Sequence, residues 1–193
     1  MAPDAERWNE RYRALDNSDC PQACEVLEHY RHLLPHRGQA LDIACGSGGN
    51  ALLLAAHGLS TSAWDYSAVA IDKLRQHAEQ QDLHIHTEIR DVTAEPPTGG
   101  SFDVIVVSHY LERGLCDSII DALKPGGLLF YQTFTVEKVT DNGPANPDYR
   151  LAPNELLSLF AGLRVVFYRE EGHLGDLERG FRDRVQFIGC KSP

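Results

Sequence analysis

Positive charge is scarce in this sequence: 18 Lys and Arg stand against 28 Asp and Glu, a formal net charge of −10. A chain this acidic is poorly suited to binding a phosphate backbone, which depends on Lys and Arg displacing counterions. A small-molecule partner is therefore expected rather than a nucleic acid. Long hydrophobic runs are missing too. The longest apolar stretches fall far short of the ~20 residues that span a bilayer, so no membrane partner is expected. The first 20 residues are mostly polar and hold no apolar signal-peptide core. The five cysteines are an odd number without a disulfide-like ladder, which points to reduced thiols in a cytoplasm. No internal repeat or low-complexity segment appears. What remains is one soluble domain with a short extension, and 193 residues are enough to bury a good core.

The chain divides at about residue 38. Trp8-Asn-Glu-Arg11-Tyr12 starts a short helix. Pro21 sits at a first helical position, and Ala23, Val26, Leu27, Tyr30, Leu33 and Leu34 follow at helical spacing. Pro35 and Gly38 end that helix, so residues 1–38 are expected to form an N-terminal helical cap. Residues 39–193 form the main domain.

In that domain strands and helices alternate. Ala40–Ala44 is a short apolar strand, and Gly49–His57 a helix ended by Gly58. Ser60–Trp64 is a second strand, and Ser67–Gln80 a helix with Ser67 as its N-cap. His84–Glu88 and the β-branched Phe102–Val107 are the third and fourth strands. A helix follows near Leu115–Leu123, then the turn Lys124-Pro-Gly-Gly127 and a fifth strand to Phe134. This rhythm implies right-handed β–α–β units and a mainly parallel, doubly wound α/β sheet. Pro153–Phe160 reads as a helix, and Arg164–Arg169 with Arg184–Cys190 as an antiparallel edge hairpin. Thr135–Arg150 has no periodicity and reads as a surface loop, of the kind that often serves as a lid.

Ligands of open α/β sheets sit beyond the carboxyl ends of the strands. After the first strand comes Cys45-Gly46-Ser47-Gly48-Gly49-Asn50, whose glycines let backbone N–H groups approach a ligand. After the second comes Asp65-Tyr66, with Asp65 placed 19 residues beyond Gly46. An acid roughly 20 residues after a glycine loop is suited to a ribose diol. The third strand is followed by Asp91-Val92, and the fourth leads into Ser108-His109-Tyr110.

These residues together resemble the class I S-adenosylmethionine (AdoMet) methyltransferases, from about Gly38 to Cys190. Asp42-Ile-Ala-Cys-Gly46-Ser-Gly48-Gly49 is similar to the family's first motif, and Leu123-Lys-Pro-Gly-Gly127 to its turn into the fifth strand. The resemblance implies a Rossmann-like sheet of order 3-2-1-4-5-7-6 with strand 7 antiparallel. It also implies AdoMet as cofactor, with Asp65 at the ribose and Asp91 near the adenine amino group. Trp8-x-x-Arg11-Tyr12 is similar to a segment that closes over the cofactor in several small-molecule methyltransferases. Spacing and cap resemble the tellurite-resistance group most. The expected cofactor-binding set is Arg11, Tyr12, Asp42, Cys45, Gly46, Ser47, Gly48, Asn50, Asp65, Tyr66, Asp91, Val92 and Ser108.

On the acceptor side, His109 and Tyr110 are placed to meet the substrate. Arg179, Arg182 and Arg184 flank the sheet edge, and Arg179 and Arg184 are carried forward as candidates for orienting an anionic acceptor. A thiol or chalcogen compound is one acceptor class, and none of these residues has to be a general base. The tellurite group has a His-Arg pair where this chain has Glu178-Arg179, and a carboxylate there repels an oxyanion. Cys20, Cys24, His29 and His32 lie close together but match no paired metal-ligand spacing, so no metal is expected. Two alternatives stay open. Gly46-x-Gly48-x-x-Ala51 also fits a nicotinamide oxidoreductase, and the chain could bind AdoMet without catalysis. The oligomeric state is not readable from the sequence.

Overall fold

The computed structural model describes residues 3–15 and 20–193. Seven strands form one sheet: β1 (Gln39–Ile43), β2 (Ser60–Asp65), β3 (Ile85–Ile89), β4 (Phe102–Ser108), β5 (Leu123–Phe134), β6 (Arg164–Glu170) and β7 (Arg184–Cys190). Their order is β3-β2-β1-β4-β5-β7-β6. The first five pair in parallel, whereas β7 runs antiparallel to both β5 and β6. The helices are α1 (Pro3–Arg13), α2 (Glu25–His29), α3 (Gly49–Ala56), α4 (Ala68–Gln80), α5 (Cys116–Ala122) and α6 (Glu155–Leu159).

The sheet is buried on both faces, which is why β4 reads as an unbroken β-branched run. One face packs Ile105, Val107, Leu129, Tyr131 and Phe187 against α5 and α6. The other packs Val104, Val106, Phe130 and Ile188 under α2 and α3. Val26 and Leu27 of α2 are fully buried in that second cluster. The segment before residue 38 thus shares its core with the sheet.

Two elements depart from the periodicity. The helix expected from Pro21 shrinks to the five residues of α2, followed by a 3-10 turn at Arg31–Leu33. Cys24 is extended before α2, its N–H bonding Asn50 Oδ1 at 2.9 Å, and Val26 N–H in the first turn bonds Gln132 Oε1 at 3.1 Å. Strand β5 begins at Leu123 rather than Gly127, since Leu123 already pairs with Phe102 before a register shift. Ser67 caps α4 as expected, accepting from Ala70 N–H.

The segment 135–150 is pinned rather than loose. Arg150, only 4% exposed, donates to the carbonyls of Pro144 (2.7 Å), Thr135 (3.0 Å) and Asn142 (2.7 Å). Asp183 accepts from Val139 N–H, Thr140 N–H and the Thr140 hydroxyl, tying the segment to the start of β7. Replacing Arg150 with Met leaves three carbonyls without their donor. A loss of about 2–4 kcal/mol in urea unfolding is expected. An unchanged midpoint contradicts the pinned description.

Candidate functional site

The carboxyl ends of β1, β2, β3 and β4 bring the expected cofactor residues to one edge. The loop after β1 depends on two glycines in left-handed backbone, Gly46 at φ +54° and Gly48 at φ +93°. A Cβ on Gly46 would lie 2.6 Å from the Tyr12 hydroxyl, and one on Gly48 would lie 2.1 Å from a Leu74 methyl. A side chain at either position must displace Tyr12 or Leu74 and sit in left-handed backbone.

Two buried acids shape this loop. Asp65, 7% exposed, accepts from Gly46 N–H at 2.8 Å and from Ser67 N–H at 2.8 Å. Burial is the main reason its pKa is raised. Asp42 is completely buried and accepts from Ala51 N–H (3.1 Å) and Asn50 Nδ2 (3.2 Å). Asn50 Nδ2 also donates to Ser108 Oγ at 2.9 Å, so Asp42, Asn50 and Ser108 link β1, α3 and β4. Asp42 and Asn50 hold the loop in shape.

Burial pushes the Asp42 carboxyl up to about 7. An acid whose pKa is raised on folding contributes most stability below its unfolded value. That contribution falls as pH climbs from about 4 to about 7. Relative to Asp42→Asn, the wild type is expected to lose up to about 4 kcal/mol over that window. Urea unfolding of both proteins from pH 4 to pH 8 checks this, and parallel curves contradict it.

Asp91 has a different environment. Its Oδ1 caps the turn after β3, accepting from Thr93 N–H, Thr93 Oγ1 and Ala94 N–H, and the Thr93 hydroxyl chiefly lowers its pKa. Val92 and Cys45 are buried, whereas Ser47 and Tyr66 are partly open along the same edge. The Cys45 thiol points to Gly46 O, and burial holds its pKa well above the usual thiol value.

Helix α1 covers the glycine loop. Asn9 fastens it to α4, accepting from Ser67 Oγ at 2.7 Å and Val69 N–H at 3.4 Å. Tyr12 then stands above Gly46. Arg11 does not join it; it is exposed and stacks over the Trp8 ring at 5.4 Å.

The residues after β4 divide between two regions. Tyr110 faces Asp91 and Asp65, and burial raises its phenol pKa. His109, at φ +55°, packs on Phe134 (5.3 Å between ring centres) and faces Arg184 and Glu25. One side of His109 is open to solvent. Partial burial and Arg184 lower its pKa, which favours the neutral ring near pH 7. Arg184 stacks on Phe181 at 4.7 Å.

The Arg179 side chain is 86% exposed and lies 3.9 Å from Asp176 within its own loop. Arg182 is also taken, donating to the carbonyls of Arg179, Gly172, Leu174 and Asp176 within its own loop. The sequence reading missed Asn9, Glu25, Gln132 and Phe181. Of these only Asn9 carried a signal, lying inside the Trp8–Tyr12 segment.

Among the described residues, no group of three His, Cys, Asp or Glu side chains is placed to hold a metal, and no helix is long and apolar enough to cross a membrane. A cavity of about 360 Å³ lined by Arg31, His32, Leu53, Ala56 and His57 lies at the far end of α3 from Gly48. It contains none of the motif residues.

Residues 40–127 match the family model of the methyltransferase domain. The chain is 29% identical over 162 residues to the probable AdoMet-dependent methyltransferase TehB of Haemophilus influenzae, covering 77% of this chain and 54% of the relative. It is 34% identical over 98 residues to a ubiquinone biosynthesis O-methyltransferase of Coxiella burnetii, covering 48% of this chain and 42% of that protein. The chain thus spans about half the length of these curated relatives. The crystal structure of TehB from H. influenzae superposes with a TM-score of 0.70 at 20% identity, covering 97% of this chain and 67% of that one. The domain match, the TehB similarity and the superposition on the TehB structure converge.

Residues 40–127 match a methyltransferase domain, and the chain has the fold of the TehB structure.

The site fits the methyl donor of that family. Asp65 and Asp91 stand at successive strand ends and accept from backbone N–H and hydroxyl groups, while Asp42 is buried behind the glycine loop. Such a lining suits a cationic ligand with a diol. It does not suit the two phosphates of a dinucleotide. Were AdoMet bound here, Asp65 would hold the ribose, the Gly46–Gly48 backbone the amino-acid end, and Tyr12 would cover them.

Proposed function

We propose that this protein moves the methyl group of AdoMet onto a small-molecule thiol or related chalcogen acceptor by direct displacement. One juxtaposition supports the reading: acidic strand ends at β2 and β3 adjoin a single basic and imidazole-bearing patch, His109 and Arg184, at β4 and β7. AdoMet, when bound, supplies a methyl on a positively charged sulfur that needs no further activation. The protein's main task is alignment, which can supply ~7–11 kcal/mol in favourable systems.

Arg184 favours a thiolate over a thiol through its charge. Neutral His109 takes the thiol proton on its ring nitrogen, and its open side leaves room for the acceptor. Tyr110 and Tyr12 present aromatic faces toward a cation. The pinned segment 135–150 and Phe134 wall the acceptor side.

A panel of thiols, selenite, tellurite, small amines and phenols tests the reading, with S-adenosylhomocysteine release as readout. Thiols are expected to give the highest kcat/KM, and His109→Ala to lower it by about 10²-fold. Turnover confined to amines or phenols overturns the acceptor class. AdoMet binding without turnover of any acceptor favours a non-catalytic binding protein.

A further inference from the structure

Glu25 opens α2, and its carboxylate lies 3.3 Å from the Arg184 guanidinium, 159 residues away in the chain. Its backbone is fixed from both sides. Asn50 of the glycine loop holds Cys24 N–H, and Gln132 of β5 holds Val26 N–H. Gln186 Nε2 anchors the same Gln132 oxygen at 3.0 Å, so the Gln132 amide is locked in one orientation. Its Nε2 is buried and has no partner among the described residues. The segment carrying the Glu25 carboxylate is thus fastened to the glycine loop and the sheet. Arg184 is oriented in turn by Phe181.

The pair is half open, with 28% of the Arg184 side chain and 46% of the Glu25 side chain exposed. Pairs this exposed add little to fold stability. The effect of this pair is local. With Glu25 in place the patch beside His109 carries one positive and one negative charge. Without it, Arg184 is an uncompensated cation.

We propose that Glu25 is the specificity-determining residue of the acceptor site: by occupying Arg184 it rejects acceptors that carry their own negative charge and selects uncharged thiols. An anionic acceptor must break the Glu25–Arg184 pair and then sit beside the released carboxylate. An uncharged thiol enters without breaking it and develops negative charge only as its proton passes to His109. This inference rests on the methyltransferase reading for its turnover arm and not for its binding arm.

The test uses two thiols of similar size, mercaptoethanol and mercaptoacetate, with wild type, E25Q, R184Q and the double variant. E25Q is expected to lower KM for mercaptoacetate at least tenfold relative to mercaptoethanol, with AdoMet affinity unchanged. In the double variant that gain should disappear. The binding arm titrates thiocyanate into the protein alone, with no cofactor added, where E25Q should bind at least tenfold tighter than wild type. An unchanged thiol ratio and unchanged thiocyanate affinity in E25Q overturn the proposal, as does a gain that survives removal of Arg184. Failure of the wild type to bind AdoMet counts against the methyltransferase reading instead.

Discussion

Gly46→Val is expected to reduce AdoMet binding below detection, a loss of more than 10³-fold in calorimetry. Two independent effects act at this position. The backbone is left-handed at φ +54°, where L side chains are strained by roughly 1–2 kcal/mol and β-branched ones more. A Cβ would also sit 2.6 Å from the Tyr12 hydroxyl, in the space between α1 and the loop. A valine there pushes α1 away and keeps the loop N–H groups from close approach to the cofactor. Because Tyr12 is a side chain that can yield, a companion pair separates the two causes. Gly46→Ala should bind weakly, and adding Tyr12→Phe should restore part of the loss, since the nearest remaining ring atom is 3.3 Å from that Cβ. Wild-type affinity in Gly46→Val would remove the loop from the cofactor site.

Asp65→Ala is expected to weaken AdoMet about 100-fold, equivalent to ~2.7 kcal/mol. Hydrogen bonds to a charged group contribute ~1.5–3 kcal/mol each, and a ribose offers two hydroxyls. The carboxylate also receives Gly46 N–H and Ser67 N–H, so its removal slackens both the glycine loop and the start of α4. Asp65→Glu distinguishes the contributions: it keeps the charge but moves it outward, and should lose less affinity than alanine. Full affinity in Asp65→Ala, with an intact fold by circular dichroism, would contradict the ribose assignment.

Much of this arrangement was readable before any coordinates, because it is local or periodic. Gly46 and Asp65 are 19 residues apart and bonded in the structure, the outcome a strand–loop–helix–strand unit of that length dictates. The β-branched run at Phe102–Val107 and the alternation of strands with helices set the doubly wound sheet. The antiparallel edge hairpin was legible in the residues, and the order 3-2-1-4-5-7-6 was implied by family resemblance.

What escaped sequence reading depends on contacts between distant segments. Glu25 looked like an ordinary charge on an amphipathic helix, and only the 159-residue contact with Arg184 gives it a role. Gln132 is a polar residue inside a buried strand, and its partners come from α2 and β7. The helix expected from Pro21 is cut short, and Asn50 and Gln132 bond the N–H groups of Cys24 and Val26 at its start. Arg150 and Asp183 turn an aperiodic segment into a fixed wall by bonding carbonyls and amides that no pattern specifies. Arg179 and Arg184 look equivalent in the sequence, yet one pairs with Asp176 in solvent and the other packs on Phe181 beside Glu25.

The central claim is that the acidic strand ends around Gly46 form an AdoMet site. Its most direct test is calorimetric titration of the wild-type protein with AdoMet and, separately, with NADH. One AdoMet per chain and no response to NADH are expected; saturable NADH binding with no response to AdoMet would contradict the account.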